Sequence, residues 1–170
     1  FVKSKRSKPW IAAVRGNALA GGCELPLTCD MIVAADNSRF GLPEVKRGIF
    51  AGAGGVFRLP RALPRNIALE IVATGDPLPA ERMYQLGLVN RLAPSGDVLA
   101  EAKSLAAQIG ANAPLAVRKS LEVARQAYDG TEEELWKASN EASAVVFSSE
   151  DAKEGPRAFL EKRAPVWKGR

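Results

Sequence analysis

Two short apolar runs constrain this chain most: Trp10–Gly16 (W-I-A-A-V-R-G) and Met31–Ala35 (M-I-V-A-A). Each is too short for a buried helix and is bounded by Pro, Gly or a turn cluster, so each reads as a buried strand. Asp36-Asn37-Ser38 ends the second, and Arg39-Phe40-Gly41 resumes an extended piece. Helical spacing follows at Asn66–Thr74, where Ile67, Ile71 and Val72 share a face and Gly75 supplies the stop. Pro79 is expected in the first turn of a helix through Leu86, and Leu88–Leu92 to form a strand. Strands interleaved with helices imply an α/β arrangement with parallel pairing.

From Val98 onward the pattern is helical. Val98, Leu99, Ala102, Leu105, Ala106 and Ile109 mark one amphipathic helix. Asn112 is expected to cap a second, with Pro114 in its first turn. Thr131-Glu132-Glu133-Glu134 spells a capping box for a third, and Ser148-Ser149-Glu150-Asp151 opens a fourth that Pro156 should bend or restart. This reading divides the chain into an active-site core at 1–95 and a helical region at 96–170. The late helices carry apolar faces in excess, suited to packing on the body or on another subunit.

Composition narrows the chemistry. There is no histidine, which removes His-dependent triads, His-ligated zinc and imidazole acid–base catalysis. Proton transfer is left to carboxylates, Lys, Tyr or Cys. Cys23 and Cys29 lack C-x-x-C spacing and read as reduced thiols of a cytoplasmic protein, and no metal site is expected. The net charge of +5 suits an anionic ligand. The K-S-K-R-S-K run at 3–8 has no interleaved aromatics and reads as a solvated tail rather than an RNA-binding patch. No apolar run reaches a membrane-spanning length.

Three features carry candidate chemistry. In A-L-A-G-G-C-E-L, residues 18–25, glycines at a helix start let a ligand approach backbone N–H groups, and Glu24 sits among apolar neighbours. In F-G-L-P-E-V-K-R-G, residues 40–48, Glu44 follows Pro43 between two glycines. A-G-A-G-G, residues 51–55, is no phosphate-binding loop, since no G-K-[ST] follows, but suits a close-packed backbone or a nest at a helix start. Taken singly, each acid could be a plain surface group. Together they form what a paired-carboxylate acid–base site needs.

These blocks, in this order and spacing, resemble the crotonase (enoyl-CoA hydratase/isomerase) family from Lys8 to the C-terminus. A-T-G-D-P-L-P-A-E-R-M-Y-Q-L-G-L-V-N-R-L and the closing A-F-L-E-K-R add to the match. The resemblance implies a spiral of ββα turns followed by C-terminal helices used in trimer contacts, as a homotrimer or dimer of trimers. It implies acyl-CoA thioester substrates, with coenzyme A as part of the substrate and no separate cofactor. Glu24 and Glu44 fall on the family's two catalytic glutamates, Gly21 on a backbone donor of the oxyanion hole, and Ala20, Gly22 and Gly52 beside the substrate. Phe159 and Lys162 match positions that hold CoA. The implied reaction is reversible hydration of a trans-2-enoyl-CoA, with Glu24 helping to activate water for attack at Cβ and Glu44 delivering a proton to Cα. The family pattern also includes N-terminal spiral turns that this chain does not match, so it is expected to hold both carboxylates but half of the oxyanion hole. The strings G-G-V-F-R-L-P-R-A-L-P and R-A-F-L-E-K-R-A-P-V-W-K-G-R resemble the carnitinyl-CoA dehydratase branch. Enoyl-CoA isomerase and an RNA-binding relative are the further alternatives.

Overall fold

In a computed structural model that describes residues 1–170, the first strands alternate between two small sheets. The order begins β1 (Ile11–Val14), β2 (Ala18–Leu19), α1 (Gly21–Glu24), β3 (Met31–Ala35) and β4 (Arg39–Gly41). It continues through α2 (Gly55–Ala62), α3 (Arg65–Thr74), β5 (Leu78–Pro79), α4 (Ala80–Gln85), β6 (Arg91–Ala93) and α5 (Val98–Gly110). Short 3₁₀ segments occupy Pro26–Thr28 and Pro43–Arg47. One sheet has the order β1-β3-β6, all parallel; the other has β2-β4-β5, with β2 and β4 parallel and β4 and β5 antiparallel. Strands of the two sheets thus follow each other as ββ pairs joined by helical segments.

Central strand β3 explains why the apolar run M-I-V-A-A does not alternate with polar residues. Ile32 and Ala34 enter one core cluster with Phe40, Leu42, Leu59, Ile71 and Met83. Val33 and Ala35 enter another, with Ala93, Val98 and Ala102. A parallel strand covered on both faces must be apolar on both.

Several local expectations shift. The strand expected at Leu88–Leu92 is confined to Arg91–Ala93. Leu88 and Val89 are instead buried in a turn, both donating their N–H to the Met83 carbonyl. Asn90 joins the turn to the sheet: its N–H donates to the Ile32 carbonyl, and its Oδ1 accepts from the Ile32 N–H at 2.7 Å. Pro79 precedes α4 as its N-cap rather than lying in the first turn. Lys3, Lys5 and Lys8 of the basic run are exposed, as expected of a solvated tail, and Arg6 is half-buried over Trp10; the start of the chain is held by the Phe1 ring, stacked on Trp10 at 4.7 Å, and by the Val2 carbonyl, which accepts from Arg58. Two ring faces and a backbone acceptor give it something to pack on.

Two compact units result, Phe1–Leu105 and Ala106–Arg170. The second holds α6 (Pro114–Ala124), α7 (Glu132–Phe147) and α8 (Glu150–Leu160). Its capping box forms as expected, with Thr131 and Glu134 bonding reciprocally. Asn112 does not cap α6: that position is Ala113, and the Asn112 side chain donates back to the Gln108 carbonyl, closing the preceding helix. α8 runs through Pro156 without restarting. The residue before it is Gly155, which has no Cβ to clash with the proline ring. No helix is long and apolar enough to cross a membrane.

Gly41 marks where the small sheet is packed most tightly. A Cβ placed there would lie 2.8 Å from Cα and Cβ of Pro77. Gly41→Ala should therefore cost about 1–3 kcal/mol, read as a lower denaturation midpoint with an unchanged slope.

Candidate active site

The pairing of β2 with β4 sets the site. Their parallel register places Ala18 opposite Phe40 and Leu19 opposite Gly41. The chain leaves each strand into a short helical turn, one carrying Glu24 and the other Glu44. The Ala20 N–H donates to the Gly41 carbonyl at 3.1 Å, tying the two departures together. Turns twenty positions apart in sequence thereby leave the same end of one sheet.

Turn α1 starts from a strained residue. Ala20 has φ 53° and ψ −131°, and its carbonyl accepts from the N–H groups of both Cys23 and Glu24. A non-glycine residue at such a φ is held by its surroundings, and such strain gathers at functional sites. The N–H groups of Gly21 and Gly22 belong to the helix's first turn, where no intrahelical acceptor exists. A Cβ at either glycine would meet nothing within 4 Å, so both face open space. The backbone here can be approached closely by a ligand.

Both carboxylates are buried, Glu24 at 4% and Glu44 at 7% exposure. Glu24 Oε1 accepts from the Gly55 N–H at 2.9 Å, the first N–H of α2. That bond fixes the carboxylate and satisfies a donor that the helix cannot. Glu44 is held differently. Its carbonyl accepts from the Ile49 N–H, and Gly48, at φ 70°, closes the 3₁₀ turn. Its side-chain Oε2 is buried with no hydrogen-bond partner in the protein. A buried carboxylate oxygen left without a protein partner costs free energy, so its place calls for a donor from outside the protein.

Cys23 lies within the field of both acids. Burial pushes its thiol up to about 12; a backbone hydrogen bond at Gly41 opposes this, and the charges of Glu44 and Glu24 add to it. A thiol so protonated is no nucleophile. Cys29, half-buried and bonded to the Leu25 carbonyl, is also raised, chiefly by burial.

The glycine cluster at residues 51–55 serves the site through its backbone. Gly54, at φ 111°, is the N-cap of α2, and Gly55 is close-packed: a Cβ there would lie 2.9 Å from Leu42 and 3.0 Å from Ala51. Gly52 faces the ring of Phe50. Reading the sequence locates the cluster but misses the bond from Gly55 to Glu24, because nothing local announces a donor thirty-one residues from its acceptor. Phe159 and Lys162 lie in the second unit, at the end of α8, and both are exposed.

The arrangement provides two buried carboxylates, one of them fixed by a backbone N–H, on turns beside glycines that a ligand can approach. It can move protons on and off a substrate whose developing negative charge rests on backbone amides.

Comparison with known proteins finds one family. The family model described as enoyl-CoA hydratase/isomerase matches residues 4–170. Carnitinyl-CoA dehydratase of Salmonella typhi is 46% identical over 167 residues, covering 96% of this chain and 64% of that protein. The Escherichia coli K12 protein of the same name matches to the same extent. The chain thus spans just under two thirds of the length of these curated relatives. Among solved structures, an enoyl-CoA hydratase from Mycobacterium tuberculosis superposes with a TM-score of 0.97 at 49% identity, over all of this chain and 68% of that one. A carnitinyl-CoA hydratase from Mycobacterium avium gives 0.73 at 49% identity, over all of this chain and 66% of that one.

Two outcomes test the geometry. Gly55→Ala should displace the start of α2 from Glu24 and lower turnover by roughly tenfold or more, since small misplacements of a catalytic group are costly. Thiol titration of the folded protein at pH 8 should modify Cys29 alone, and Cys23 only after denaturant is added.

Proposed function

The chain belongs to the enoyl-CoA hydratase/isomerase family, and on that premise we propose that the protein adds water reversibly to the α,β double bond of a trans-2-enoyl-CoA thioester. The observation that carries this reading is the pair of buried carboxylates on the paired turns after β2 and β4, one bonded to the start of α2 and one with an oxygen free of protein partners.

In the proposed reaction Glu24 orients water and takes a proton from it as the oxygen attacks Cβ. Glu44 delivers a proton to Cα. Its unpartnered Oε2 is the atom available to the substrate. Electron density pushed onto the thioester oxygen is stabilised by the Gly21 N–H, and Ala20, Gly22 and Gly52 shape the backbone around the acyl group. Dehydration runs the same steps in reverse. Because two coupled carboxylates share their protons, the pair as a whole carries the acid–base work.

A second reading has a specific motive. The named relatives at 46% identity are carnitinyl-CoA dehydratases, and the same carboxylate pair suits hydration of crotonobetainyl-CoA. Isomerisation of an enoyl-CoA, which also needs proton transfer next to a thioester, is a third. We further propose that CoA contacts Phe159 and Lys162, and that the protein acts as a trimer or dimer of trimers in the cytoplasm. The assembly is supported by α6 and α7, in which no residue is fully buried. An unpaired Cys23 and Cys29 suit a reducing compartment.

The test is the loss of enoyl-thioester absorbance with crotonyl-CoA and crotonobetainyl-CoA, for the protein and its Glu24→Gln and Glu44→Gln forms. Each substitution should lower kcat by about 10²–10⁴-fold with little change in melting temperature. Preference for crotonobetainyl-CoA selects the second reading. Mutants as active as the parent on either substrate would sink the two-carboxylate mechanism.

A further inference from the structure

The last residues of the chain, 163–170, have no regular secondary structure yet are tied tightly to α8. Asp151 and Glu154, on the first turns of that helix, are 4% and 8% exposed. Asp151 accepts from the N–H of Lys168 at 2.6 Å and of Gly169 at 2.9 Å. Glu154 Oε1 accepts from the Val166 N–H at 2.9 Å and from Arg163 Nη1 at 2.5 Å. Its Oε2 accepts from Arg163 Nη2 at 3.0 Å and Arg157 Nη2 at 2.7 Å. The Arg170 carbonyl accepts from the Glu150 N–H, and Trp167 Nε1 donates to the Ala111 carbonyl. Arg163, the Val166 amide and Arg157 hold the Glu154 carboxyl far below the usual carboxylate range.

This strap begins where α8 ends. Glu161 is the C-cap, and Lys162 follows at φ 54°. The Lys162 N–H donates to the Phe159 carbonyl and the Arg163 N–H to the Ala158 carbonyl. That is a complete Schellman ending with lysine in the left-handed position normally taken by glycine. Its neighbour Arg163 is gripped on two sides, by Glu154 and by Glu161 Oε2 at 2.5 Å. The lysine backbone is thus held in an unfavourable conformation by the residue after it, with its side chain exposed three positions after Phe159, itself 82% exposed.

We propose that Glu154, acting through Arg163, is a positioning residue: it locks the turn at the end of α8 so that the Lys162 ammonium and the Phe159 ring are presented together to the phosphorylated nucleotide end of a CoA thioester. A strained turn that is free to relax would point the ammonium elsewhere; one clamped by a bidentate ion pair cannot. The inference rests on reading Phe159 and Lys162 as CoA contacts.

The test compares two ligands in the whole protein. Binding of free CoA is measured by calorimetry, and turnover is followed on crotonylpantetheine, which lacks the nucleotide. Glu154→Gln should weaken CoA by about fivefold and leave kcat/KM for crotonylpantetheine unchanged. Arg163→Lys, which keeps the charge but loses the fork, should act in the same direction and serves if the first variant does not fold. Unaltered CoA affinity, or equal losses on both ligands, overturns the positioning role. Lys162→Ala and Phe159→Ala are titrated alongside. If they too leave CoA affinity unchanged, the CoA-contact reading fails; if they weaken it and Glu154→Gln does not, only the positioning role fails. Absence of crotonylpantetheine turnover in the parent would count against the hydratase reading, with the CoA titration still deciding the clamp.

Discussion

Everything in the candidate site depends on one short parallel pairing. β2 has two residues and β4 three, yet their register makes Leu19 the neighbour of Gly41. A shift of a single residue would turn every side chain of a strand to the opposite face. Here it would also carry Glu24 and Glu44 away from each other, since each follows its strand at a fixed distance. So small a pairing is stable only because its surroundings are: Phe40 and Ala18 are buried in the main core, and Gly41 is packed against Pro77.

The two carboxylates are alike in burial and unlike in partnership. Glu24 is anchored to a helix start, whereas Glu44 keeps an oxygen free. A bonded carboxylate oxygen is fixed in place, and an unbonded one can still accept a donor. The cost of the orphan oxygen is borne by a rigid frame, in which glycines at residues 41, 54 and 55 let backbones approach where side chains could not. Cys23, buried in the same core, adds packing without reactivity, its thiol pushed up by burial and, to a lesser degree, by the acids' charges.

The second unit uses buried carboxylates for a different end. Asp151 and Glu154 accept backbone N–H groups and an arginine fork, so their charges are compensated on all sides. The contrast with Glu44 is physical. A carboxylate saturated by donors is a structural anchor; one left with an unused lone pair keeps a place for a further donor.

Much of this was legible in the chain itself. The apolar run M-I-V-A-A declared a buried strand, T-E-E-E declared a helix start, and the want of histidine removed imidazole chemistry. These signals are local: period, cap and composition act within a few residues, so the sequence alone determined them. Where Pro156 would restart a helix, or where a strand would begin at Leu88, local rules erred, because Gly155 removed a clash and Asn90 reached across to Ile32. The bond from Gly55 to Glu24, the unpartnered oxygen of Glu44 and the clamp on Arg163 could be decided only by tertiary structure. Each joins residues that no local spacing relates, and a hydrogen bond exists only once folding has placed its donor against its acceptor.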